Sequence, residues 1–268
     1  MFPNYYPARK IIPKPDMGSS IQYYLDPDMS LAVRHILSIQ GPPPYLISGP
    51  RCVCQRKTSS HEPRPSRTGL VIQEAVIQIY KASPASRLLI CAPYNSACDV
   101  LMRGLLEVIP ESDMFRANAA FREKEDVPDD ILPSCLYVYE TECFSCPSYI
   151  ELASFRVIFS TFMSSIRLRN EGLLAGHFSH IFMVDASFAT EPEAMVPLAN
   201  FAIDNTAIVV SGQPRHSPSF ARSKIARKHG LKISYFEGLL DYFAPLKSTS
   251  LSFITELSSD AEENFGYH

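Results

Sequence analysis

Three groups of residues in this sequence could do chemistry. The first lies in LISGPRCVCQRKTSSHEPRPSRTGLVIQEAV, residues 46–76, where an apolar strand runs into Gly49-Pro50 and an apolar helix follows a polar loop. A strand that turns onto a helix N-terminus aims backbone N–H groups at one point, and a phosphate suits them. Such a loop needs glycines for its left-handed turns and a lysine for the phosphate charge. Here Arg51, Cys52, Val53, Cys54, Gln55 and Arg56 follow Gly49-Pro50, and their Cβ atoms penalise that backbone. Lys57-Thr58 comes late and without a preceding glycine, while Gly69 precedes Leu70 instead of a lysine. The second group is Asp185, a carboxylate at the end of HIFMVDA; it could meet a ligand at that strand end or simply cap it. The third is Pro93, Asn95 and Ser96 in APYNS with Thr161 and Ser164 in STFMSS. Small polar groups there could face a ligand at the strand ends, or merely end strands and start helices.

These residues need elements to hold them. PYLIS (44–48), RLLICAP (87–93), FRVIFST (155–161), HIFMVDA (180–186) and TAIVVSG (206–212) are continuous apolar runs of strand length. SLAVRHILS (30–38), LVIQEAVIQIY (70–80) and SACDVLMRGLLEVI (96–109) carry apolar residues at helical spacing. Unbroken apolar strands alternating with helices predict an α/β fold, a parallel sheet with helices on both faces. Right-handed crossovers then bring all the strand C-terminal ends to one edge, where ligands of such sheets bind. All three groups fall on that edge, together with Gly212-Gln213-Pro214. Residues 51–69 read as an irregular polar loop and 110–150 as mixed and proline-punctuated. The chain divides into a lead-in over 1–20, a domain over 21–245 and a loosely ordered Ser- and acid-rich tail over 246–268.

At 268 residues, 46% of them apolar, the chain can bury a substantial core. Its net charge of −3 gives no global attraction to nucleic acid or to an acidic membrane, so any polyanion site must be a local basic patch. Two basic runs exist: Arg51, Arg56, Lys57, Arg64 and Arg67 in the loop, and Arg222, Lys224, Arg227, Lys228 and Lys232 further on. A solvated face is the commoner explanation of such runs. The N-terminus lacks the apolar core of a signal peptide, and no apolar run is long enough to span a membrane. The cysteine count of 7 is odd, which fits reduced thiols in the cytosol or nucleus. Cys52-x-Cys54 and Cys143-x-x-Cys146, with Cys135 nearby, lack a second pair at structural-zinc spacing, so no metal is expected.

Taken in order, CAPYNSACDVLM, MFRANAAFREKEDVPDDILPSC, RVIFSTFMSS, GHFSHIFMVDASFATEPEAM, VVSGQPRHSP and RSKIARKHGLKISYFEGLL resemble the first RecA-like domain of superfamily-1 RNA helicases. The likeness is closest to the plant silencing-defective helicases and their animal counterparts of the Mov and Upf type, and runs from about Leu25 to Leu240. It implies a P-loop-type fold, a cytoplasmic setting, ATP and Mg²⁺ as the family's cofactors, and RNA-mediated silencing as its lineage. It implies nucleotide contacts at Gly49, Pro50, Lys57, Thr58, Gly212 and Arg215, and RNA contacts at Pro93, Asn95, Ser96, Thr161 and Ser164. It places Asp185 in the motif that begins Asp-Glu-Ala in the family, with Val184 where the metal carboxylate belongs. Met29 stands for the adenine-reading glutamine; Gln213 and His216 replace an Asp and a Gln.

With the phosphate loop altered, one carboxylate missing and no second RecA-like domain in the sequence, three readings follow. The chain is a catalytically dead module that binds RNA or a silencing partner such as an Argonaute complex, with no cofactor of its own. Or it is an RNA-dependent ATPase with an atypical loop. Or it is a non-functional gene fragment.

Overall fold

The computed structural model describes residues 25–54, 63–214, 223–244 and 253–258. Lys57, Thr58, Arg215 and His216, and the lead-in over 1–20, lie outside them. The described elements run α1 (Pro27–Leu37), β1 (Tyr45–Ser48), β2 (Val53–Cys54), β3 (Arg64–Pro65), α2 (Arg67–Ala82), β4 (Leu88–Ala92), α3 (Asn95–Arg103) and β5 (Met114–Ala117). They continue with β6 (Leu136–Val138), β7 (Cys143–Ser145), α4 (Tyr149–Ser154), β8 (Val157–Thr161), α5 (Ile166–Asn170), β9 (His180–Met183) and α6 (Glu191–Phe201). β10 (Ala207–Gly212), α7 (Lys224–Ala226), α8 (Tyr235–Phe243) and β11 (Ile254–Glu256) complete the order.

Seven strands form one sheet in the order β11-β1-β10-β9-β4-β8-β5, and every pairing is parallel. Side chains alternate strictly between its two cores. Tyr45, Ile47, Leu88, Ile90, Phe182 and Val184 pack under α1, α2 and α3. Leu46, Leu89, Cys91, Ile181, Met183 and Val210 pack on the other face with Leu198, Phe201, Phe236 and Leu239 of α6 and α8. Each such buried Leu, Ile or Phe contributes about 1.5–3 kcal/mol, which is what holds a sheet buried on both faces. This is the α/β parallel sheet that the apolar runs predict, and the RecA-like arrangement that the resemblance implies.

Two boundaries differ from the sequence reading. Residues 51–69 are not irregular throughout: β2 and β3 pair antiparallel, and α2 already begins at Arg67. Ser66 caps that helix by accepting the Gly69 N–H at 3.3 Å, and the Ser66 N–H donates to the Cys52 carbonyl at 2.8 Å. Gly69 is required because a Cβ there would sit 2.3 Å from that carbonyl oxygen. The tail also contains order: β11 pairs with β1, and Leu257 joins the core. Residues 254–256 are too short and too polar for their periodicity to show this.

Candidate nucleotide edge and nucleic-acid edge

The strand ends deliver the candidate residues to one rim of the sheet, but they form two different places. At the end of β1, the Gly49 N–H donates to the Gly212 carbonyl of β10 at 3.1 Å, tying the two glycine positions together. The next turn folds inward. Cys52 is fully buried, its N–H donates to Asp185 Oδ1 at 2.9 Å, and its thiol donates to Asp185 Oδ2 at 3.0 Å.

Asp185 itself is 2% exposed and adopts left-handed backbone, φ 52° and ψ 37°. Aspartate tolerates this conformation better than most residues, though still at a cost. The geometry is fixed from behind, where its N–H donates to Ser211 Oγ at 3.1 Å, while the Gln213 N–H donates to Ser187 Oγ at 3.0 Å. Burial pushes the Asp185 carboxyl above its usual range, against the two Cys52 hydrogen bonds and Arg51, which hold it down. Burial likewise pushes the Cys52 thiol well up, with the Asp185 charge adding to it, so the sulfur keeps its proton and donates. The carboxylate is engaged by the chain's own loop on both oxygens.

The surrounding positions are filled as well. Met29 is 2% exposed within the core. Leu257 Cβ lies 3.1 Å from where a Gly49 Cβ would be. Arg67 pairs with Asp26, the residue that caps α1 by accepting from Asp28 N–H at 3.0 Å and Met29 N–H at 2.9 Å. Thr68 Oγ1, at the first turn of α2, is buried with no partner. The Arg51 guanidinium covers the Phe188 ring at 3.7 Å, and Phe188 meets Tyr94 edge-on at 6.0 Å.

The second place is open. A groove of about 220 Å³ lies between the ends of β4 and β8, lined by Pro93, Tyr94, Thr161, Met163, Phe188 and Glu193 among others. Met163 is 55% exposed. Ser96 is exposed and Asn95 half-buried. Tyr94 caps α3 without a side-chain hydrogen bond. The first-turn N–H groups of that helix therefore have no side-chain cap. Thr161 Oγ1 accepts the Ser164 N–H at 3.2 Å and donates to Ser164 Oγ at 2.8 Å, so this pair shapes the turn after β8.

Behind the groove, Arg116 on β5 is fully buried. Its Nε donates to Asp99 Oδ1 at 2.9 Å and its Nη1 to the Ala117 carbonyl at 2.8 Å. Its Nη2 donates to Asn95 Oδ1 at 2.8 Å. Arg122 donates to Asp99 Oδ2 at 2.6 Å and to Asn118 Oδ1 at 2.8 Å. Sequence reasoning missed Arg116, Asp99 and the pairing of Cys52 with Asp185. The available signals were a charge inside the apolar strand MFRA and an Asp on the buried face of α3.

Among the described residues, no group of three or more His, Cys, Asp or Glu side chains could hold a metal, and no helix is long and apolar enough to cross a membrane. Burial holds His177 and His180 down to about 4, so both are neutral at physiological pH.

The sheet order and the two-sided core define a RecA-like α/β domain. No protein-family model matches the chain. It is 34% identical over 219 residues to the RNA helicase Mov10l1 of Homo sapiens, covering 81% of this chain and 16% of that protein. The Mus musculus Mov10l1 gives 33% over 239 residues, 88% of this chain and 18% of the relative. The probable RNA helicase armi of Drosophila melanogaster gives 27% over 215 residues, 74% and 17%. Its homologues are thus Mov10-type RNA helicases, and the chain spans less than a fifth of the length of these relatives. Among solved structures, the C-terminal part of the Fun30 ATPase domain has a TM-score of 0.35 at 9% identity over 66% of this chain and 54% of that one, a likeness too slight to bear on function.

Proposed function

We propose that this chain is an RNA-binding domain of the silencing-helicase lineage that does not turn over ATP. One observation carries the reading: both oxygens of Asp185, the only carboxylate in the family's Asp-Glu position, accept hydrogen bonds from Cys52 of the loop that should cradle phosphate. Binding Mg·ATP there would require breaking these bonds, and neither a correctly spaced lysine nor a second carboxylate would compensate. The described residues of this turn do not fit the nucleotide.

The groove edge supports the binding half of the reading. Uncapped N–H groups at the start of α3, the Asn95 amide, the Ser96 hydroxyl and the Thr161–Ser164 turn offer donors to sugar and phosphate oxygens without reading bases. A partner protein of the silencing machinery, such as an Argonaute, comes from the lineage alone. A second reading, an ATPase with an atypical loop, draws on the buried and unpartnered Thr68 Oγ1 at the N-terminus of α2. Fluorescence anisotropy with a labelled single-stranded oligouridylate, with and without Mg·ATP, separates the two. Salt-sensitive binding indifferent to Mg·ATP is the expected result. Absence of RNA binding would sink the first reading; affinity that shifts with Mg·ATP would favour the second.

A further inference from the structure

The buried guanidinium behind the groove has a function that its burial alone does not explain. We propose that Arg116 is a positioning residue: it fixes the side-chain amide of Asn95 so that the N–H₂ group faces solvent at the strand-end rim beside the groove, as a donor to a phosphate or ribose oxygen of single-stranded RNA. This rests on the RNA reading above.

An Arg side chain carries donors only. The Asn95 atom 2.8 Å from Arg116 Nη2 must therefore be the amide oxygen, which settles the amide orientation by chemistry. With the oxygen taken, Asn95 Nδ2 points elsewhere, and among the described residues it has no acceptor. Asn95 is half-buried at the first turn of α3, next to exposed Ser96. Its amide nitrogen is not among the buried, unpartnered side-chain atoms of the described residues, so its donors reach solvent at this rim.

Arg116 cannot swing away. Its three nitrogens bond Asp99, the Ala117 carbonyl and Asn95, and the side chain has no exposure. Asp99 is in turn held by Arg122, which also donates to Asn118 Oδ1 and to the Asp126 carbonyl at 2.6 Å. The cluster is asymmetric in charge: two guanidinium groups share the one Asp99 carboxylate. The uncompensated positive charge lies directly beneath Asn95, in surroundings where screening is weak, and favours an anionic neighbour on the groove side.

The substitution that separates positioning from structure is Asn95→Asp. Both carboxylate oxygens accept, so Arg116 gains a charged partner and the fold should hold or stiffen, while the groove loses its donor and faces an anion. Asn95→Ala removes the donor without adding the charge. The expected result is a melting temperature for Asn95→Asp at or above that of the natural chain, with affinity for a single-stranded oligouridylate reduced about tenfold beyond the loss in Asn95→Ala.

Equal affinities for the two variants, in a chain that binds RNA, would overturn the positioning role and leave the RNA reading intact. An Asn95→Asp chain that melts well below the natural one would contradict the Arg116 contact itself. If the natural chain shows no RNA binding, the RNA reading fails and takes this role with it.

Discussion

The ends of β1 and β9 and the ends of β4 and β8 lie on the same rim of one sheet, yet they meet the outside differently. At the first, the polar groups are used up internally: Asp185 by Cys52, the Gly49 N–H by the Gly212 carbonyl, and the Arg51 guanidinium by the face of the Phe188 ring. At the second, the polar groups are held from behind and left open in front: Asn95 by Arg116, Thr161 by Ser164. A scaffold common to both can lose one function and keep another, because the sheet fixes where strand ends lie while only local side chains decide whether they are free.

The largest expected effect concerns the open place. Asp99→Ala leaves Arg116 and Arg122 without their shared carboxylate inside the protein. Leaving a buried charge unpaired costs about 3–5 kcal/mol, a large part of the stability of most domains. Urea denaturation should show the midpoint collapse; a loss near zero would mean that water reaches the cluster.

Next comes the closed place. Gly69→Ala should destabilise by about 1–3 kcal/mol, because its Cβ meets the Cys52 carbonyl at 2.3 Å. Helix propensity alone pulls the other way, by about 1 kcal/mol in favour of Ala. A stabilised Gly69→Ala chain in a thermal melt would show that the Cys52 turn can give way, and that the closure is soft.

A smaller effect sharpens the same point through pH. Burial raises the Asp185 carboxyl in the folded chain above its unfolded value. A raised acid contributes stability that is fully present below the unfolded value and lost as pH rises through the folded one. Relative to Asp185→Asn, which does not titrate, the natural chain should therefore gain stability as pH falls through the folded value of Asp185 toward the unfolded one. Urea midpoints of both chains across that range measure it. A gap that narrows in the opposite sense would mean that the Cys52 hydrogen bonds and Arg51 outweigh burial.

Much of the fold was legible because continuous apolar strands alternating with amphipathic helices leave few options besides a covered parallel sheet. The start of α2 was not, since Ser66-Arg67-Thr68-Gly69 resembles loop in composition and only the Cys52 carbonyl explains the glycine. β11 was not, because its contribution is to pair with β1 and to place Leu257, and neither leaves a periodic trace in three residues. The rim carrying Pro93, Asn95, Thr161 and Asp185 could be located from strand ends alone. The pairing of Cys52 with Asp185 could not, for the two are 133 residues apart and nothing local links them. Arg116 was hidden for the opposite reason: a charge inside an apolar strand contradicts its own element unless Asp99 and Asn95 are known to face it.

The closed place is tested most directly by titrating Mg·ATP into the purified chain in a calorimeter. If Cys52 holds the Asp185 carboxylate and no phosphate cradle exists, no saturable heat should appear up to millimolar nucleotide, a range in which a site of about −4 kcal/mol would begin to fill. A saturable isotherm with a micromolar Kd would contradict the account.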